Sequence, residues 1–484
     1  MFLYHLFAFL LLQNNSLSDS LSVAYRQKFT TKIDSLQNSK TLENGQLSVA
    51  IKNCITGEKI IQLNGNKLVR PASTLKLITT STALGLLGEN FRYNTDLVYQ
   101  GEIRNDTLIG NIIIKGSGDP TLGSWRFDET LDYSRLLLHW ANDIKALNIK
   151  VINGDIVVDS KLFSDHVVPE TWQWGDMGNY FGAASFGLNL NENLFKAHFK
   201  TSRKSGENTE IFKLEPFLAD IELQNSVISD KNTFGDDVLF FSAPYSNSIF
   251  VTGKLPVGRE DFVVKGSVQN PSILAINLLK STLSKIGVQL KTVQNLAKNT
   301  PAKLINRVIS PSLFEICSYT NYESINLFAE SLLKKMATNK TNNITTADGI
   351  LVLTKFWKDK GLNMSQLYMK DGSGLSNTNA ISANFMVDCL TATSQQKYFT
   401  AFLQTIPILG QDGTMKNIAK NKPWAKNFSV KSGTIEKVKA FAGYFYNKNG
   451  ILHSFSLMAN QFEGSESSMS RELTKLFETM WLLE

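Results

Sequence analysis

Cysteine is scarce in this chain. Cys54, Cys317 and Cys389 are the three it has in 484 residues, and no CxxC spacing links them. A disulfide scaffold is therefore excluded, and the three read as isolated core residues with room for one disulfide at most. The five histidines, His5, His139, His166, His198 and His453, form no HxH or HExxH pair. No metal site and no cofactor is expected on that pattern. Long apolar runs are missing as well: beyond the N-terminus nothing approaches the roughly 18 residues that a membrane-spanning helix needs. The formal charge is +7, yet the basic residues are dispersed in short clusters such as Lys334-Lys335. Without a basic stripe interleaved with aromatics, nucleic acid is not an expected partner. A mildly positive protein is instead drawn to anionic polymers such as a cell wall.

What is present points to export and to more than one domain. Phe2 to Leu12 is almost wholly apolar, polar Asn14-Asn15-Ser16 follows, and Ser22-Val23-Ala24 offers small residues for cleavage. Residues 1–24 are expected to be a secretory signal, so the protein is expected in the periplasm or at the cell wall, without a transmembrane anchor. A polar amphipathic helix is predicted over 26–45, a hairpin over 47–63, and a helix from Thr74 to Leu87. Helical patterning returns at Ile273–Ile286, Ser324–Met336 and Thr346–Lys360. A second hairpin, Val438–Tyr446 with Ile451–Gln461, precedes a last helix over Ser468–Leu482. Between these ends, short alternating runs such as Asp155-Ile-Val-Val-Asp159 predict β-rich inserted material.

Three motifs carry chemistry. In Pro71-Ala-Ser73-Thr-Leu-Lys76 the serine sits at a helix start with the lysine one turn on, so both share a face. Lys76 is the only charged residue between Arg70 and Glu89, and its helix is apolar nearly all round. A buried ammonium loses solvation, which lowers its pKa and makes the amine available as a base. Tyr322-Glu-Ser324-Ile-Asn326 is predicted to open an apolar helix, with Ser324 and Asn326 in its first turn. In Val430-Lys431-Ser432-Gly433-Thr434 a strand carries a cation, hydroxyls and a small Gly433, which lets a peptide carboxylate dock beside the backbone. Taken singly, each is a common capping or strand pattern. SxxK, SxN and K[ST]G occur together in the order and context that a penicillin-recognising site requires.

On these motifs the chain resembles the low-molecular-mass penicillin-binding proteins with D-alanyl-D-alanine carboxypeptidase and endopeptidase activity. The similarity is to the subclass with a large insertion after SxxK. Gly116-Ser-Gly-Asp119-Pro-Thr-Leu122, Trp172-Gln-Trp-Gly-Asp176, Asp371-Gly-Ser-Gly374-Leu-Ser376 and Gly410-Gln-Asp-Gly413-Thr414 also look like that subclass. The resemblance implies an α/β (α+β) fold: a serine β-lactamase/transpeptidase-like domain with an antiparallel sheet and flanking helices. That domain would comprise 25–93 and 268–484, with a β-rich insertion of two nested modules over 94–267. It also implies a serine peptidase acting on peptidoglycan stem peptides and cross-links, and acylated by β-lactam antibiotics. Ser73 would attack the carbonyl between two D-alanines and Lys76 would take its proton. Ser324, bridged to Lys76 and Lys431, would relay a proton to the leaving group, and Asn326 would hold a substrate amide. Lys431, Ser432 and Thr434 would bind the terminal carboxylate, and the N–H groups of Ser73 and Thr434 would form the oxyanion hole. Asp159 would meet the amino end of the stem peptide's third residue. After Asp371-Gly-Ser-Gly-Leu-Ser376 the subclass continues with Arg, whereas this chain has Asn377, which fits an amidated or different third residue. A β-lactamase or esterase on the same scaffold, and a non-catalytic wall-binding protein, are the competing expectations. The large insertion and the three intact motifs weigh against them.

Overall fold

The computed structural model describes residues 23–291, 300–337 and 340–483. The signal segment expected over 1–24 therefore lies outside the described residues up to 22, and 23–37 is helical. Packing divides the chain into two compact units. One comprises the residues up to Leu86, Cys317–Ser324 and the chain from Leu353 on; the other comprises Leu87–Ile316 and Ile325–Val352. Among the described residues no helix is long and apolar enough to cross a membrane.

The first unit is built on a five-stranded sheet. Its order is Phe428–Ile435, Val438–Tyr446, Leu452–Asn460, Gln46–Asn53 and Lys59–Leu63. Every neighbouring pair is antiparallel. Successive residues of Leu452–Asn460 are buried without alternation, as expected for a strand covered on both faces. One face carries Phe428, Phe441 and Phe455 against Phe477 of the terminal helix Glu466–Trp481 and Phe29 of helix 23–37. Phe477 meets Phe428, Phe441 and Phe455 with ring centroids 5.2, 5.6 and 5.7 Å away. Each fully buried phenylalanine contributes about 2–3 kcal/mol of apolar burial. Helix Ala383–Ser394, capped by the Ser382 hydroxyl on the Phe385 N–H, covers strands Gln46–Asn53 and Leu452–Asn460. It also meets helix Lys76–Leu87, where Ser81 Oγ and Thr393 Oγ1 lie 2.8 Å apart. Cys54, Cys317 and Cys389 are buried and all free, so the one disulfide the sequence allowed does not form.

The second unit is rich in strands. A six-stranded mixed sheet contains Asn94–Arg104, Thr107–Lys115 and Lys303–Ile309 among others, and two three-stranded sheets accompany it. Helix Pro271–Lys285 starts where its sequence directs, with Pro271 at the first turn and the Asn270 side chain accepting from the Ile273 N–H. It buries Leu274, Leu279 and Leu283 in this unit's core, together with Trp140 of helix Tyr133–Ala146. By packing, 268–316 and 325–352 belong to this second unit.

One buried group in the first sheet makes its stability depend on pH. His453 lies parallel to Phe445 with centroids 5.0 Å apart, and Nδ1 meets Ile451 O at 3.0 Å. Burial, opposed by that carbonyl and joined by the Arg26 charge, lowers its pKa to about 4, while Glu58 acts the other way. The folded state therefore binds fewer protons than the unfolded chain between the ordinary value of 6.5 and about 4. Stability is retained above that window and falls as pH drops through it, by up to about 3 kcal/mol. Thermal unfolding between pH 7 and 4 should show this fall, and His453→Phe should flatten it. An unchanged pH slope in the variant rejects the assignment.

Candidate active site

Ser73 lies in the short 3-10 turn Ala72–Leu75 that leads into helix Lys76–Leu87. The turn is held from several distant parts of the first unit. Asn460 brackets the residue before it, its Oδ1 accepting from the Arg70 N–H at 2.9 Å and its Nδ2 donating to Arg70 O at 3.1 Å. Ala72 sits at φ +47°, a left-handed conformation costing about 1–3 kcal/mol for a residue with a Cβ. Gly374 closes over it: at φ +82°, a Cβ there would stand 1.9 Å from Ala72 O. A Cβ on Gly433 would stand 3.0 Å from the Ser73 N, so the strand Phe428–Ile435 runs directly beside the Ser73 amide.

Lys76 is wholly buried. Its Nζ is 3.0 Å from Ser73 Oγ and donates to Ser373 O at 2.7 Å. The carbonyl belongs to the Asp371-Gly-Ser-Gly374 loop, whose shape depends on Asp371. That carboxylate accepts from the N–H groups of Gly374 and Ser376 and from Asn379 Nδ2. Sequence reasoning singled out the loop but gave it no task. It aims a carbonyl at the lysine.

Lys431 is buried too, and its Nζ donates to Ser324 Oγ at 3.0 Å and to Ser432 O at 2.8 Å. Burial, then the charges of Lys76 and Lys439, push its ammonium well below the usual lysine range. Ser324 corrects one expectation. It does not open a helix: its φ is +59°, it follows helix Leu313–Tyr322, and the next helix begins at Asn326. A left-handed residue cannot continue a right-handed helix, and this one turns its hydroxyl to Lys431. Gly413 packs behind, where a Cβ would stand 2.4 Å from Tyr322 O. Beside it Thr414 Oγ1 lies 3.0 Å from Ser432 Oγ.

Ser73, Lys76, Ser324, Lys431, Ser432, Gly433 and Thr434 thus all belong to the first unit. Asn326 and Asp159 belong to the second. Asn326 Nδ2 donates to Phe181 O at 2.8 Å. Asp159 ends the strand Ile156–Asp159, exposed, accepting the Lys161 N–H at 3.3 Å. Trp140 and Trp172 are core residues, while Trp174 is 59% exposed. No group of side chains suited to hold a metal ion occurs among the described residues.

Residues 29–480 match the D-Ala-D-Ala carboxypeptidase 3 (S13) family. The chain is 27% identical over 428 residues to D-alanyl-D-alanine carboxypeptidase DacB of Haemophilus influenzae, covering 87% of each. It is 25% identical over 451 residues to a D-alanyl-D-alanine carboxypeptidase of an Actinomadura species, covering 89% of this chain and 81% of that one. The crystal structure of penicillin binding protein 4 from Haemophilus influenzae shares the fold, with a TM-score of 0.78 at 24% identity over 94% of this chain and 98% of the other. With a family match that runs almost from end to end and a fold shared along the same length, the chain belongs to the D-Ala-D-Ala carboxypeptidase 3 (S13) family.

Proposed function

We propose that the protein is a serine D-alanyl-D-alanine carboxypeptidase that also cuts peptide cross-links, acting on peptidoglycan through an acyl-enzyme on Ser73. The observation that carries this reading is the Lys76 side chain, buried, with its Nζ 3.0 Å from Ser73 Oγ and no other charged residue between Arg70 and Glu89. Family membership supports the same chemistry.

Ser73 Oγ attacks the carbonyl carbon between the two D-alanines as its proton passes to Lys76. The oxyanion that forms is met by the N–H groups of Ser73 and Thr434. The C–N bond then breaks and the departing amine takes a proton through Ser324, which Lys431 holds at 3.0 Å. Water attacks the resulting ester, and the serine is regenerated. Ser432 and Thr434 receive the leaving residue's carboxylate, Asn326 a substrate amide, and Asp159 the third residue's amine. β-Lactams acylate the same serine. The reading also assigns export to the periplasm or wall, and a catalytic domain of 25–93 and 268–484 interrupted by 94–267.

Digestion of purified muropeptides followed by mass analysis tests the reading. Loss of a single alanine from pentapeptides shows carboxypeptidase action, and conversion of dimers to monomers shows endopeptidase action. Muropeptides left unchanged by the purified enzyme would rule out both.

A further inference from the structure

Helix Glu466–Trp481, helix 23–37 and the segment between Asp412 and Phe428 border a cavity of about 620 Å³ that lies wholly within the first unit. Small-molecule sites span about 300–1,000 Å³, so the space is ample for one compact ligand. None of the residues placed around Ser73 lines it.

The lining is unbalanced in charge. Lys32, Lys422, Arg471 and Lys475 contribute cations, and Glu478 is the one carboxylate among the lining residues. Lys475 is paired with Glu472 at 2.7 Å, and Lys32 Nζ donates to Thr479 Oγ1 at 2.7 Å. Lys422 and Arg471 have no carboxylate within ion-pair distance among the described residues. The imbalance starts in the sequence, where Lys416, Lys420, Lys422 and Lys426 follow Asp412 with no acidic residue before Glu436. Ile418, Ala419 and Trp424 give the cavity an apolar side. Trp424 is 7% exposed and packs edge-on to Phe428, with ring centroids 5.9 Å apart. Its buried indole N–H has no acceptor among the described residues, a cost that a ligand oxygen relieves. Ala419 is held at φ +55°, left-handed backbone that a residue with a Cβ adopts at a cost, and such strain gathers at ligand sites. Donors in excess of acceptors beside an apolar wall select an oxyanion carried on a compact organic body.

We propose that this cavity is a second, non-catalytic binding site for an organic anion of about sugar size, a sugar carboxylate or a sugar phosphate. Arg471 and Lys422 receive its charge, and Ile418 and Trp424 pack against its body. The site uses none of the residues of the acyl-enzyme reading, so it stands or falls apart from that reading.

The experiment titrates the full chain, by ligand-observed NMR, with N-acetylmuramic acid, N-acetylglucosamine 1-phosphate, neutral N-acetylglucosamine and inorganic phosphate. The three sugars share a ring, and only the first two carry an anion. At least one of those two should bind about tenfold or more tighter than the neutral sugar, because charge-assisted contacts are gained. The tighter of them says whether the site is built for a carboxylate or a phosphate. Arg471→Met combined with Lys422→Met should weaken that binding about tenfold or more, while release of D-alanine stays at the wild-type rate. Both positions are exposed, so the fold should tolerate the change. Lys416→Met combined with Lys426→Met removes the same charge from the same segment outside the cavity lining, and should shift binding by less than about twofold. Neutral and anionic sugars bound alike, or equal losses in the two double variants, overturn the inference. So do inorganic phosphate bound as tightly as either sugar anion, which means an adventitious ion only, and the absence of saturable binding by any of the four. Each of these results leaves the Ser73 reading intact, since none of them measures acylation.

Discussion

Ser73→Ala is expected to abolish release of D-alanine, with a fall in kcat of at least about a thousandfold, and to eliminate covalent labelling by a fluorescent penicillin. The substitution removes one oxygen and leaves the turn as it was. Arg70 stays bracketed by Asn460, Thr74 Oγ1 still donates to Pro71 O at 2.7 Å, and Gly374 and Gly433 still press on the same backbone. Thermal unfolding should therefore be nearly unchanged, which separates lost chemistry from lost structure. Release of D-alanine from synthetic peptides and the mass of the protein after penicillin treatment are the two measurements. An alanine variant that still carries an acyl adduct would remove Ser73 from the nucleophile's place.

Lys76→Met should cost almost as much: about 10²–10⁴-fold in the acylation rate, the range ascribed to a positioned acid–base group. The methionine fills the volume of the side chain, but its thioether cannot take the Ser73 proton as an amine does. KM should shift little, since Lys76 is wholly buried and its Nζ is occupied by Ser73 Oγ and Ser373 O. The one structural debt is Ser373 O, which loses a donor at about 1–3 kcal/mol. The loop itself should persist because Asp371 is held by Gly374, Ser376 and Asn379, and Thr79 Oγ1 bonds Gly372 O at 2.7 Å. Stopped-flow acylation gives the rate, and substrate saturation separates kcat from KM. A variant acylated at the wild-type rate would mean that another group takes the proton.

Much of this site was legible in the sequence, and the reasons for both successes and misses are local. Serine and lysine three apart on an apolar helix fix each other's positions, so their pairing could be read directly. The terminal strands were readable because two hydrophobic runs flank the turn signal Asn447-Lys-Asn-Gly450. Ser324 was misplaced in a helix because capping patterns do not reveal a left-handed residue two positions before the true start. The Asn460 bracket was out of reach, since it joins residues 390 apart and no short pattern announces it. Lys439 was within reach. Once the strand holding Lys431 is paired through a two-residue turn, counting back from the turn places 439 opposite 434. Trp140, Trp172 and Trp174 divide between core and surface by tertiary packing, which composition cannot foresee.

The order of strands in the catalytic sheet has a consequence for timing. Gln46–Asn53 joins the rest of the sheet through Leu452–Asn460, so nearly the earliest strand synthesised must wait for nearly the last. The same late strand delivers Asn460 to the turn before Ser73. Such pairing between distant segments is slow to form, because a long loop must be closed before any contact rewards it. A chain still being made therefore carries Ser73 without the frame that holds its turn. On the proposed reading, an unfinished copy is expected to stay inert until the final strand docks.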